Sequence, residues 1–508
     1  MWLHFYVSLL LSPTFMNVSN RKVNSYMHVK AISKVDSSAS FATRQSLLRH
    51  ARMLPFMCVV AACSLAPDVP DLKTELPQHW ELSGQEKASL TEWWKRYNDP
   101  QLSALIVKGL EHNADLQLAS ARVAEARALL GGTQAEQYPI ISGNASAARL
   151  DAGDSALTGG KAINSYNVAP VLSFEVDLWG RLANATEAAQ QQLLAEEANA
   201  RAVRLAVIAE TASDYFAALS LGEQIAITKR TIATREKAAD LQRKLFKEGD
   251  TDELTVRQAE SELQAVQAEL PSLEEKQQQR MNALSVITGA TPAELFHPDQ
   301  LASIKNSSLP QLPALPGLAP EQVVAGRPDI ARAEHQLSAS NAQIGVARAA
   351  YLPKLSLTGM LGFQSDNLGD LFKNSATSLA AGSLAGPILD FGRARAQVEA
   401  SEARQKQAYI AYEQTVRVAF KEIMDALTGY RKNGERLEAQ EARVKTLQRS
   451  AQLAHRRFDE GISNYIDVLD AERNLYQVET ARVETRRARL QSSVDLYKAL
   501  GGGSHEQQ

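Results

Sequence analysis

Cysteine is almost absent from this 508-residue chain: Cys58 and Cys63 are the only two, both near the start. A disulfide framework or a thiolate metal centre further along is thereby excluded. Aromatic residues make up only 6% of the sequence, and abundant Ala, Gln, Glu, Arg and Leu favour long helices over compact cores. The net charge is −3 and no basic patch with interleaved aromatics occurs, which argues against a nucleic-acid partner. Beyond residue 63 no apolar run approaches the roughly 20 residues of a membrane-spanning helix. If this chain crosses a membrane, it must do so with strands. The nine histidines form no HExxH pattern, no glycine loop suited to a phosphate appears, and no paired metal ligands of useful spacing occur. No cofactor, metal or catalytic residue is expected.

The N-terminus carries a distinct signal. Arg44, Arg49 and Arg52 precede the apolar run MLPFMCVVAA, and small residues follow, as in an export signal. Val60-Ala61-Ala62-Cys63 resembles the lipobox of bacterial lipoproteins, in which the cysteine becomes the acylated N-terminus. One acyl chain binds a bilayer marginally, whereas two or three make attachment effectively permanent. An ordinary signal peptide with an incidental cysteine is the alternative. Ser64 follows, and by the same resemblance a residue other than aspartate there directs a lipoprotein to the outer membrane. Residues 1–43 exceed what such a signal needs and WLHFYVSLLL is too short to span, which points to Met27 as the start.

Two stretches alternate with period two. Tyr166, Val168, Pro170, Leu172, Phe174 and Val176 oppose Ser165, Asn167, Ser173, Glu175 and Asp177, and a weaker version covers Ile141 to Arg149. The same hairpin recurs where Leu355, Leu357, Leu361 and Phe363 oppose Lys354, Ser356, Thr358 and Gln364. Half-buried soluble hairpins would need a hydrophobic core of their own, and the flanking sequence offers only amphipathic helix. After each hairpin come 68 residues without proline, from Arg181 to Glu248 and from Arg393 to Glu460. Leu205, Ile208, Ala212, Tyr215 and Leu219 step by threes and fours, as do Val416, Phe420, Ile423, Leu427 and Tyr430. Such a seam needs neighbouring helices to bury it.

The chain therefore performs one plan twice at an offset of about 212 residues. Residues 1–62 are the export signal with its over-long start, and 63–100 an irregular segment with the anchor. The first repeat, 101–300, is predicted to hold strands at about 138–150 and 163–178, a long helix 181–248 and a return helix 252–289. A proline-rich connector, 301–326, leads to the second repeat, 327–501. There the expected elements are a helix 327–351, strands at about 353–364 and 377–390, a long helix 393–460 and a return helix 463–499, before the tail 502–508. Four amphipathic strands cannot close a barrel, for which about eight is the practical minimum. An open sheet in lipid would leave edge amides unsatisfied at a cost of several kcal/mol each. The chain must oligomerise.

Three stretches, WWKRYNDPQLSALIVKGLEHNADLQLASARVAEAR, GRPDIARAEHQLSASNAQIGVARAAYLPKLSLTG and DEGISNYIDVLDAERNLYQVETAR, resemble the signatures of TolC-like outer-membrane factors. The resemblance is nearest to the lipidated, NodT-type branch serving resistance-nodulation-division pumps. It implies a mixed, mainly α fold with β: long antiparallel coiled-coil hairpins and four transmembrane strands per chain. A homotrimer would complete a 12-stranded β-barrel in outer-membrane lipid and a 12-helix α-barrel through the periplasm. The implied function is the exit duct of a tripartite efflux pump. The implied partners are a periplasmic adaptor and an inner-membrane resistance-nodulation-division transporter. An exit duct for type I protein secretion and a periplasmic coiled-coil adaptor are the rival readings. Adaptors lack two amphipathic strand hairpins separated by 212–214 residues.

The turn RFDEGISNYIDVLDAER repeats the frame of LFKEGDTDELTVRQAE, with Phe246, Glu248, Gly249 and Ala259 matching Phe458, Glu460, Gly461 and Ala471. Asp470 and Arg473 occur only in the second copy, against Gln258 and Ser261 in the first. Carried over by the resemblance, Ile466 would form an apolar ring and Asp470 an acidic ring at a periplasmic gate. Arg473 and Asn464 would tie neighbouring helices, and Phe458 stands where close relatives often have tyrosine. A solvated i, i+3 ion pair worth a few tenths of a kcal/mol is the alternative. The block Gly153-Asp154-Ser155-Ala156-Leu157 is similar to that of some esterases, but it lies in a loop without the strand–helix setting such a nucleophile needs.

Overall fold

Asp99 and Pro100 start the first helix in the usual manner, the Asp99 carboxylate accepting from the backbone N–H of Gln101 and Leu102. That helix, α1 (Pro100–His112), meets α2 (Ala114–Ala135) at Asn113, whose side chain caps α2 by accepting from Asp115 and Leu116. There follow β1 (Ile140–Leu150), β2 (Ile163–Val176), α3 (Arg181–Glu248), α4 (Glu253–Ile287) and the single turn α5 (Pro292–Leu295). The second half runs α6 (Pro320–Gly326), α7 (Pro328–Ala349), β3 (Lys354–Ser365), β4 (Ala376–Ala385), α8 (Arg393–Asp459) and α9 (Tyr465–Ala499). This computed structural model describes residues 65–68, 70, 90–151, 162–295, 308–315, 317, 319–373 and 375–502. All lie in one unit that starts at Ala61. Cys63 and the 153–157 block lie outside the described residues.

Element ends differ from the sequence expectation in several places, α4 and α7 each stopping two residues early. β4 ends at Ala385 rather than at 390, because residues 386–389 have no strand to pair with. α9 begins at Tyr465, since Asn464 takes an extended backbone that stops the helix there. The connector holds the short helix α6, started by Pro320 and by Gln322, whose side chain accepts from the Ala319 N–H.

The four strands form one antiparallel sheet in the order β1-β2-β3-β4, so the two repeats join edge to edge at β2 and β3. Ser142, Asn144 and Ser146 stand opposite Val171, Ala169 and Asn167, and Ser173 opposite Thr358, which gathers most polar side chains on one face. Ile140, Ile141, Leu361, Leu384 and Ile388 are exposed in the single chain.

At about 1.5 Å per residue, α3 and α8 each reach roughly 100 Å. α3 packs along α2, α4, α7 and α9, and α8 along α7 and α9. Leu205, Ile208, Ala212, Tyr215 and Leu219 are all buried, while in α8 Val416, Ile423 and Leu427 are buried and Phe420 and Tyr430 half-buried. The deepest cluster lies near the middle of α3. Trp93 stacks on Tyr497 at 5.1 Å, Tyr97 lies 5.1 Å from Phe216, and the Tyr215 hydroxyl donates to Asp99 at 2.8 Å. Full burial of such side chains contributes about 1.5–3 kcal/mol each, which explains why the sparse aromatics concentrate here.

Candidate functional site at the helical tips

Both long helices stop in the same way. Gly249 and Gly461 take φ 89° and 72°, left-handed values that disfavour any side chain. Gly249 N–H reaches Phe246 O and Asp250 N–H reaches Leu245 O; at the second tip Gly461 reaches Phe458 O and Ile462 reaches Arg457 O. The two tips then diverge. Asp252 caps α4 by accepting from Thr255 at 2.7 Å, whereas the Asn464 side chain at the start of α9 makes no cap hydrogen bond.

Phe458 is half-buried and packs on Tyr465 with ring centroids 5.2 Å apart, over Ala239, Ala259, Leu263, Val468 and Leu469. The matching Phe246 is exposed, so the aromatic pair belongs to the second tip alone. The buried Tyr465 hydroxyl has no hydrogen-bond partner among the described residues, and burial pushes its pKa well above the usual tyrosine value. Ile466 is 41% exposed and points away from this cluster, and its counterpart Leu254 in α4 is 65% exposed.

Arg473 reaches in two directions. It donates to Asp470 at 2.6 Å on its own helix and to Glu262 of α4 at 3.4 Å. Glu262 also pairs at 3.0 Å with Arg235 of α3, whose side chain is only 3% exposed. The three helices are thus linked through one carboxylate. Arg235, Glu262, Arg473, Tyr476, Gln477 and Thr480 line a cleft of about 370 Å³ there. The Tyr476 and Thr228 hydroxyls lie 3.1 Å apart, joining α9 to α3. Ile466 and Asp470 share the exposed face of α9, while Arg473 turns partly from that face toward α4 of the same chain.

A further clasp holds each hairpin. Arg243 donates to Glu260 at 2.9 Å between α3 and α4. His455 and Glu472 lie 2.8 Å apart between α8 and α9, at positions 212 residues further on. Arg243 is the larger influence holding the Glu260 carboxyl below its usual range, with Arg257 adding to it. Glu262, Arg235 and Tyr465 escaped the sequence reading because their roles come from contacts between helices that no local pattern marks. Leu254 was also missed, although the 212-residue offset from Ile466 is the signal that points to it.

Leu65 and Pro67, just beyond Cys63, are held on α7. Asn341 donates to Pro67 O at 2.6 Å and Arg348 to Leu65 O at 3.3 Å. Any side chain at Gly345 would come within 2.9 Å of the Ala66 backbone nitrogen. Among the described residues no group of three His, Cys, Asp or Glu could hold a metal ion, and no helix is long and apolar enough to cross a membrane. The tip brings apolar, acidic and basic side chains to the end of a helical bundle, an arrangement suited to obstructing a passage.

The chain matches the outer membrane efflux protein family over residues 105–290 and 319–502. It is 33% identical over 468 residues to the cation efflux system protein CusC of Escherichia coli O157:H7, covering 89% of this chain and 98% of that protein. It is 33% identical over 460 residues to the solvent efflux pump outer membrane protein SrpC of Pseudomonas putida, covering 88% and 97%. The outer-membrane channel OprN superposes with a TM-score of 0.82 at 27% identity, over 87% of this chain and all of that one. Strand hairpins, paired long helices and these matches over both repeats together place the chain in the outer membrane efflux protein family, as an outer-membrane efflux channel and not an enzyme.

Proposed function

We propose that three copies of this chain close into a ring that serves as the exit duct of a tripartite efflux pump. Each copy contributes four strands to a twelve-stranded barrel and two helical hairpins with their flanking helices to a tube below it. The observation that supports this best is the four-stranded sheet with β1 and β4 as unpaired edges, mounted on helices of roughly 100 Å. A sheet of that size has no stable place in lipid until its edges meet others. Three sets of four leave a water-filled passage, whereas two sets would be filled by side chains.

In this reading a periplasmic adaptor and an inner-membrane resistance-nodulation-division transporter deliver the substrate. The channel supplies no energy and little selection. That relatives named for cations and for solvents match equally well fits such a division of labour. Ile466 and Asp470 form rings at the periplasmic end, Arg473 braces the tip, Asn464 faces the neighbouring copy, and Phe458 seats the start of α9. Cys63 is acylated, and Leu65 and Pro67 on α7 hold the anchored end against the helical body.

Purified protein reconstituted in planar bilayers should form discrete pores and migrate as a heat-sensitive oligomer. A monomer without channel activity would remove the proposal. A deletion strain should become more susceptible across a drug panel and recover on complementation. Cys63→Ala should abolish labelling by radioactive palmitate, and label that persists would dismiss the anchor.

A further inference from the structure

Within the four strands only Arg149, Glu175 and Lys354 carry charge. The register sorts them by face. Ala145, Val168 and Phe363 lie in one row across β1, β2 and β3 and mark the apolar face, which in an outer-membrane channel meets lipid. Lys354 and Glu175, the latter opposite Ser356, fall on the other face. Arg149 falls on the apolar one, an even number of residues along β1 from Ala145. It is the single charged side chain that the described strands turn toward lipid. It is exposed and makes no ion pair with any described residue.

Its height on the barrel decides what it can meet. β1 leaves α2 and runs outward, so Arg149 lies at the end remote from the helices. From Ile140 the strand takes nine steps to reach it. At about 3.4 Å each and a tilt of about 35–45°, that is roughly 22–25 Å along the membrane normal, nearly the whole apolar band of such a barrel. Aromatic rings mark the same two levels. Tyr138 and Phe174 stand near the inner end, while Tyr166 and the Phe363–Phe372 pair, with ring centroids 5.3 Å apart, stand near the outer end. Arg149 lies two residues outward of Ala147, the partner of Tyr166. A cation facing lipid is costly at the midplane and nearly free at this level, where it reaches the headgroups. Directly opposite it is Asn164, and one row inward Tyr166 stands opposite Ser365. A guanidinium, an amide and two hydroxyls thus gather on one patch of sheet. A fixed positive charge among such donors fits a phosphate, which a guanidinium takes with two parallel hydrogen bonds. Inward of Arg149 on the same face come Ala147, Ala145 and Gly143, beside the bulkier Val168, Pro170 and Leu172, so a chain hanging from that headgroup has room to lie along β1.

We propose that Arg149, with Asn164, binds the phosphate of an outer-leaflet lipid headgroup, giving each chain one lipid site at the outward end of β1 and β2. The site lies within one chain, so it depends on the outer-membrane placement and not on the ring.

The full-length oligomer, extracted from membranes and stripped of lipid by detergent exchange, tests this with lipid A in its phosphorylated and dephosphorylated forms, bound lipid being counted by native mass spectrometry. The phosphorylated form should bind about tenfold more tightly, the effect of one charge-assisted contact. Arg149→Gln should erase that preference without changing the binding of the dephosphorylated form, and Arg149→Lys should keep part of it. Lys354→Gln, on the opposite face, should keep all of it. Asn164→Leu should lower the preference by a smaller factor and serves should the arginine variant not reach the membrane. Equal binding of the two lipid forms by the native chain, or a preference that survives these Arg149 and Asn164 substitutions, would overturn the site. Displacement of lipid A by an equal concentration of inorganic phosphate would overturn the lipid as its occupant. An Arg149→Gln oligomer that reaches the membrane but comes apart in lipid-free detergent would assign the arginine to a contact between copies and overturn the proposal. Protein that sediments as monomer yet keeps the preference would remove the ring and leave this site standing.

Discussion

Replacing Arg473 by alanine tests whether the tip restrains the passage. Arg473 makes an intrahelical contact to Asp470 at 2.6 Å and an interhelical one to Glu262 at 3.4 Å, with its side chain 47% exposed. Only the second contact holds α9 against α4. At this exposure a pair contributes about 0.2–1 kcal/mol, so three copies opening together would lose roughly 0.6–3 kcal/mol. With about 1.4 kcal/mol per factor of ten, the open population should rise roughly 3- to 150-fold. Asp470→Ala removes only the intrahelical contact and should raise open probability much less, while lowering cation selectivity if Asp470 forms the proposed acidic ring. The double variant should match Arg473→Ala rather than exceed it, since both contacts are already gone. Single-channel recording in planar bilayers reads all three. Unchanged conductance and open probability in Arg473→Ala, or an Asp470→Ala effect as large, would refute the assignment of the brace to Glu262.

Glu262→Gln leaves the charge of the buried Arg235 facing only neutral oxygens, the main-chain and side-chain amide oxygens of residue 262, and should cost about 3–5 kcal/mol, read as a lower unfolding midpoint in denaturant. Trp93→Ala opens a cavity against Tyr497 and should cost about 3–5 kcal/mol in the same measurement while leaving palmitate labelling intact. The Glu260 carboxyl is held below its ordinary value by Arg243, so its contribution is full above that ordinary value and disappears only as pH falls through the depressed one. Glu260→Gln should therefore flatten the stability profile at acidic pH and leave the profile above neutrality unchanged. Gly345→Leu drives a side chain into Asn184 of α3 and the Ala66 backbone and should loosen the N-terminal segment, read as faster proteolysis between Cys63 and Trp93.

The repeat, the two hairpins and the unbroken long helices were legible because each depends on local periodicity. Residues 181–248 contain no proline and end at a glycine, so α3 could be bounded to the residue. β4 was harder. Ser378, Ala380, Ala381 and Gly382 give almost no alternation, and its end at Ala385 is set by the start of β3 opposite, not by local pattern. At the tip, Asp470 and Arg473 stood out as residues the first repeat lacks. Glu262 did not, since its meeting with Arg473 joins positions 211 residues apart through tertiary packing. Arg235 was equally hidden, as a buried arginine in a helix rich in exposed ones reads like any other.

The clasp near each tip has a consequence for how a tube of such hairpins could move. Arg243 brings a planar guanidinium with several donors to Glu260, while the residue in its place on the second hairpin, His455, brings one ring nitrogen to Glu472. Around a ring the staves would then alternate, one kind bolted by a forked cation and the next by a single imidazole nitrogen. Such a tube would dilate with three-fold symmetry even though its frame is nearly six-fold, half its members serving as fixed posts against which the others swing.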